Sequence, residues 1–326
     1  MRLRATWVAA RRAWVLSAGI YRAEGLLRRV KQNLRWAAIA AARPVEALGW
    51  FARMQSQDLQ PFADANPLLP LKPMRAYLSA KWGLVRRTKV MRETYSFVLW
   101  RGGAVREALL QQEGEGVVLA SVDLGDLGPA ELCLGFDNRF RKEGEFAITL
   151  RCPEQGGRIS SLSFALEWHR NGLVMYAGCV QGRSEGEDGF MKALQKAMHG
   201  LRPKALVVFA AQEIARGLGA REFLGAGNSI QVHRRKHLIH LSWVHELTFD
   251  YDAFWEELGG HPAMDGWFYL PRKAHRRTRE EIKPNKRTMY ARRYALMDDL
   301  ATQIRAALAK AAPDQAQDEG PRPTGS

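Results

Sequence analysis

Lys286, Tyr290 and Arg293 stand at spacings of four and three, so a helix would gather an ammonium, a phenol and a guanidinium on one face. Arg287 follows Lys286 directly, and Asn285 is the expected N-cap of a long helix running to about residue 311. Cations in a first turn oppose the helix macrodipole at about 0.3–1 kcal/mol each, so helix stability alone would not select them. Exposed N–H groups, two cations and a tyrosine hydroxyl suit a phosphate or carboxylate. Lys286, Arg287, Tyr290 and Arg293 are therefore the expected anion or substrate site. The competing reading is a salt-bridged face served by Glu280 and Glu281.

Other candidates are weaker. His233, His237, His240 and His245 invite a metal, but the surrounding apolar residues read as a strand that would split them between faces, so no metal site is expected. His199-Gly200 joins two helices and reads as a helix end, with a general base or an anion contact as the alternative. Cys133, Cys152 and Cys179 are widely spaced and lack a CxxC pair, which fits a reducing compartment, and Cys179 in an apolar strand reads as core. No G-x-S-x-G elbow supports serine catalysis, and no catalytic residue emerges. Asp250 to Trp255 reads as a capped amphipathic helix.

These residues require elements to position them. The chain has 326 residues, 46% apolar and 25% charged, a composition that excludes disordered and disulfide-scaffold classes. Its formal charge of +15 is concentrated: residues 1–101 carry 19 basic and 5 acidic side chains, and residues 272–293 carry 10 and 2. Residues 1–60 read as basic amphipathic helices, with Trp7, Ala10, Trp14 and Tyr21 on one face and Leu26, Leu27, Val30 and Leu34 as a second stripe. Residues 61–73, with four prolines, read as a linker or extended segment. Residues 74–311 form the expected main domain, with strand texture from about residue 90, and residues 312–326 a disordered tail. Between about 117 and 181, short apolar runs punctuated by glycine predict an antiparallel β-meander, with Asn171-Gly172 as a hairpin turn. Helices at 190–199 and 204–218, a strand at 221–227, another at 237–249 and a helix at 252–258 follow, so the fold class is α+β.

Two resemblances attach to these elements. RKEGEFAITL (141–150), MYAGCVQG (175–182), MHGLRPKALVVFAAQEIARGLG (198–219), DYDAFWEELGG (250–260) and KRTMYARRYALMDDL (286–300) together resemble the VirK/YbjX family. That resemblance implies a bacterial protein linked to virulence and to tolerance of envelope-directed stress such as antimicrobial peptides, and it brings no agreed reaction. The order strand, loop, helix, strand, Asn also resembles the GNAT N-acyltransferase core, in which a loop after the fourth strand cradles the coenzyme A pyrophosphate. It implies Gln181, Gly182, Arg183 and Asn228 as cofactor-binding residues and an acyl-CoA as cofactor. Asp188 stands where that loop expects Gly or Ala, and three acids at 185–188 oppose a pyrophosphate; the alternative is an acidic turn.

Two function classes result: a GNAT-like acyltransferase or acyl-CoA-binding protein, and a non-enzymatic protein whose basic surface meets a partner or anionic lipid. Six of the ten tryptophans lie in the first hundred residues, which with the arginines suits the headgroup region of an anionic membrane. Nucleic acid is less favoured, since no DNA- or RNA-binding motif accompanies them. The expected location is the cytoplasm, either free or peripheral to the inner membrane.

Overall fold

The computed structural model describes residues 2–169, 171–183, 188–232 and 249–310. The chain begins with a helical hairpin, α1 (Arg2–Ile20) and α2 (Leu26–Ala42), followed by α3 (Pro44–Met54) and α4 (Gln60–Ala65). The hairpin buries mainly small or polar residues, Ala9, Ala13 and Ser17 from α1 and Asn33, Trp36 and Ala40 from α2. Many of its large apolar residues point the other way. Leu3, Trp7, Trp14, Val15, Leu26, Leu27, Val30 and Leu34 are all exposed, whereas Trp36 and Trp50 are core.

Residues 61–73 are not an extended linker. Pro61 sits in the first turn of α4, where a missing N–H costs nothing, and Leu69–Met74 forms a buried 3-10 helix. Trp50 Nε1 donates to Pro70 O at 3.0 Å and ties α3 to it. Strand texture does not begin near residue 90 either. That stretch is α5 (Leu84–Arg101), followed by α6 (Gly103–Ala108). Val90, Met91, Thr94, Tyr95, Phe97 and Val98 form its buried face, and the Thr94 hydroxyl donates to Leu166 O.

The expected meander is present: β1 (Val117–Asp123), β2 (Pro129–Gly135), β3 (Phe146–Cys152), β4 (Gly157–His169) and β5 (Gly172–Gly182) pair antiparallel in succession. Then come α7 (Asp188–Ala197), α8 (Pro203–Gly217), β6 (Ala220–Ala226), α9 (Tyr251–Glu257), β7 (His261–Pro262), β8 (Trp267–Tyr269) and α10 (Arg287–Ala309). The sheet order is β1-β2-β3-β4-β5-β6-β8-β7, with β6 parallel to β5 and every other pairing antiparallel. Among the described residues, no helix is long and apolar enough to cross a membrane. The strand expected at 237–249 and the tail at 312–326 fall largely or wholly outside the described residues.

Candidate functional site at a fork between parallel strands

The parallel ladder stops at Ala177 opposite Gly225, while β5 runs on to Gly182. Strand β5 bulges at the same point. Ser163 pairs with Cys179 and Phe164 with Ala177, leaving Gly178 as the extra residue. A Cβ on Gly178 would stand 1.9 Å from Glu143 O, so glycine is what lets the 143–145 turn lie against the bulge. Released from the ladder, Gly178 O accepts Gln231 Nε2 at 3.2 Å, and the same amide nitrogen donates to Ala226 O at 3.0 Å. Gln231 thus spans the two diverging strands. On either side, Tyr251 OH donates to Val180 O at 3.2 Å and Trp255 Nε1 to Ala226 O at 3.1 Å.

Glu143 is fully buried beside the fork and accepts the Lys142 N–H at 3.2 Å. Burial first, and the Glu143 charge second, hold the Cys179 thiol well above its ordinary pKa. Burial also keeps the Tyr251 hydroxyl neutral, with Cys179 and Glu143 adding to the effect. The other two cysteines are buried as well, and burial pushes Cys133 up to about 11. No cysteine offers a thiolate near neutral pH, so the fork's polar resources are the Glu143 carboxyl group, the Gln231 amide, a neutral phenol and backbone groups.

The sequence-predicted cofactor residues are placed unequally. Gln181 and Gly182 lie at the open end, where Gly182 faces the Lys204 stem and Lys204 Nζ sits 3.9 Å from the centre of the Phe249 ring. Arg183 turns away, donating to Gln155 O at 2.9 Å and Gly156 O at 3.3 Å. Asn228 is a clamp: its backbone N–H and side-chain amide donate to Asp252 and Asp250, and its Oδ1 accepts the Tyr251 N–H. Loop residues 184–187 and the histidines at 233–245 lie outside the described residues. Among the described residues, no group of three or more His, Cys, Asp or Glu could hold a metal.

Asn285 is not the N-cap expected of it. It lies inside a 3-10 turn, Pro284–Lys286, and α10 opens after Lys286 with no side-chain cap, because Pro284 sets the turn's start. Lys286 is exposed, and Arg287 Nε donates to Ile282 O at 3.4 Å. Arg293 packs 4.3 Å from the Tyr290 ring centre and donates from Nε to His199 O at 3.0 Å. His199 and Gly200 both have positive φ, +52° and +78°, so this is the helix-end conformation expected of the turn. Beside it runs a groove of about 530 Å³ lined in part by Lys192, Lys196, His199, Thr288 and Arg292, with no acidic side chain in its lining among the described residues. Sequence spacing missed Lys192, Lys196 and Arg292 because they come from two helices far apart in the chain. It also missed Glu143, Gln231 and Tyr251, although Gly178 alone within an apolar strand was a legible bulge signal.

The family described as "Protein of unknown function (DUF535)" matches residues 25–306. The "Uncharacterized protein YbjX" of Escherichia coli K12 is 28% identical over 240 residues, covering 73% of this chain and 72% of that protein. Two uncharacterized proteins of Haemophilus influenzae are 33% and 30% identical, over 53% and 50% of this chain and 56% and 52% of their own lengths. No solved structure matches. The chain belongs to the DUF535 family, the VirK/YbjX family that its motifs resemble.

Proposed function

We propose that the protein binds an acyl-CoA in the fork between β5 and β6 and acts as an acyl-transferring or acyl-carrying protein. The observation that carries this reading is the coincidence of the bulge at Gly178 with the end of the parallel ladder at Ala177. An N-acyltransferase requires such a cleft, and here the freed Gly178 and Val180 carbonyls are held by the Gln231 and Tyr251 side chains, which an amide-containing cofactor arm would displace. The chain from His199 to Lys204 links the basic groove to the fork's open end, which supports a cofactor with an apolar arm and a polyanionic end. Calorimetric titration with acetyl-CoA tests it. Saturable binding is expected, weakened about tenfold or more by Lys204→Glu with the far-UV spectrum unchanged. Failure of the wild type to bind any CoA species would overturn the reading.

A second reading has its own observation. The α1–α2 hairpin exposes Trp7 at 64%, Leu27 at 85% and Leu3 at 87% among arginines, with Glu24 its one acidic residue. Large apolar groups facing outward beside cations suit insertion at an anionic lipid surface. Cosedimentation with phosphatidylglycerol vesicles at low salt is expected and should fall several-fold in Trp7→Glu and Leu27→Glu. Equal sedimentation of wild type and variants would remove the hairpin from any membrane role.

A further inference from the structure

Arg35 of α2 and Arg75, just after the buried 3-10 helix, meet at Trp36, and Arg141 with Lys142 before β3 comes from a third stretch to lie within electrostatic reach of both. The guanidinium carbons of Arg35 and Arg75 lie 5.1 and 4.8 Å from the Trp36 ring centre. Leu78 N–H donates to Lys142 O at 2.7 Å and locks the segment after Arg75 onto the Arg141–Lys142 turn. Arg75 donates to the Tyr21 hydroxyl, and Arg141 donates to Asn138 O at 3.0 Å. Among the described residues none of the four cations forms a salt bridge; the nearby charge of opposite sign is the buried Glu143 carboxylate.

Burial lowers the pKa of both Arg75 and Lys142. Repulsion adds to this, from Arg141 and Arg35 on Arg75, and from Arg141, Arg75 and Arg35 on Lys142. Half-buried like charges are costly unless something compensates them. Two donors are also left over. Arg141 Nε and Trp36 Nε1 are buried and have no hydrogen-bond acceptor among the described residues.

We infer that Arg35, Arg75, Arg141 and Lys142 form a binding site for a phosphate group, carried by a soluble phosphate compound or by a lipid headgroup. Planar guanidiniums with an ammonium match the several oxygens of a phosphate, and the anion would supply the missing counter-charge. The site draws on no residue of the basic groove and stands whether or not the fork binds an acyl-CoA.

Thermal melting and calorimetry with inorganic pyrophosphate, at matched ionic strength, test this. The wild type should bind saturably and melt several degrees higher. Lys142→Gln and Arg35→Gln should each weaken binding about tenfold or more. Without the anion, Lys142→Gln should melt no lower than the wild type, because it removes a repulsive contact. Arg305→Gln, an exposed side chain on α10, should leave this binding unchanged. Phosphatidylglycerol vesicles that displace pyrophosphate identify the ligand as a lipid headgroup, and vesicles that do not displace it identify a soluble phosphate compound. Absence of saturable binding, or an equal melting shift in the wild type and both Gln variants, overturns the assignment.

Discussion

Lys72→Met is expected to destabilise the protein by about 3–5 kcal/mol, the range for removing one partner of a buried ion pair. Lys72 and Glu145 are 3% and 2% exposed, with Nζ 3.0 Å from the carboxylate. Lys72 also donates to Gly144 O at 3.0 Å, and Glu145 accepts the Tyr95 hydroxyl at 2.9 Å. No water can approach to replace the lost ammonium, so the carboxylate keeps its desolvation penalty without its counter-charge. The pair joins the 3-10 helix at Leu69–Met74 to the start of β3, so its loss loosens the N-terminal region from the sheet. Urea unfolding of Lys72→Met, Glu145→Leu and the double variant forms the check. The double variant should recover at least half of the single-variant loss, since it buries no unpaired charge. A loss under about 1 kcal/mol in Lys72→Met would mean the pair is solvated like a surface bridge.

That pair also shows where sequence reading reaches its limit. The meander from Val117 to Gly182 was legible because each strand is short, alternating or apolar, and bounded by glycine. Helix α5 was not, because its buried face mixes Val90 and Phe97 with Arg87 and Glu93, and charges at core positions blur a hydrophobic period. The prolines at 61–73 read as a linker because proline breaks helices from within, yet here Pro61 and Pro70 stand in the first turns of helices. Site residues divide the same way. The Tyr290–Arg293 contact follows from local spacing and was anticipated. Gln231 across the fork and Arg75 beside Lys142 depend on contacts between distant segments, which no local pattern encodes. The N-terminal charge count pointed to a surface facing a polyanion, but Arg75 from that surplus instead meets Arg141 and Lys142 just before β3.

Gly178→Ala should cost about 3 kcal/mol, the upper part of the usual range for overpacking, and should abolish acetyl-CoA binding. The added Cβ would stand 1.9 Å from Glu143 O and 2.7 Å from Glu143 C, which are backbone atoms that cannot rotate aside. Relief requires either the 143–145 turn to lift or the bulge to flatten. Lifting the turn pulls on Glu145 and its bond to Lys72, while flattening the bulge withdraws the Gly178 carbonyl from Gln231. Both routes alter the fork, so stability and binding should fall together. Gly189→Ala on α7 is the control: among the described residues nothing lies within 4 Å of its Cβ position, and it should change neither property. Thermal melting with acetyl-CoA titration separates the outcomes. Wild-type stability in Gly178→Ala would refute the close approach itself. A destabilised but folded Gly178→Ala that binds acetyl-CoA normally would leave the bulge a packing device, and the fork would lose its claim on the cofactor.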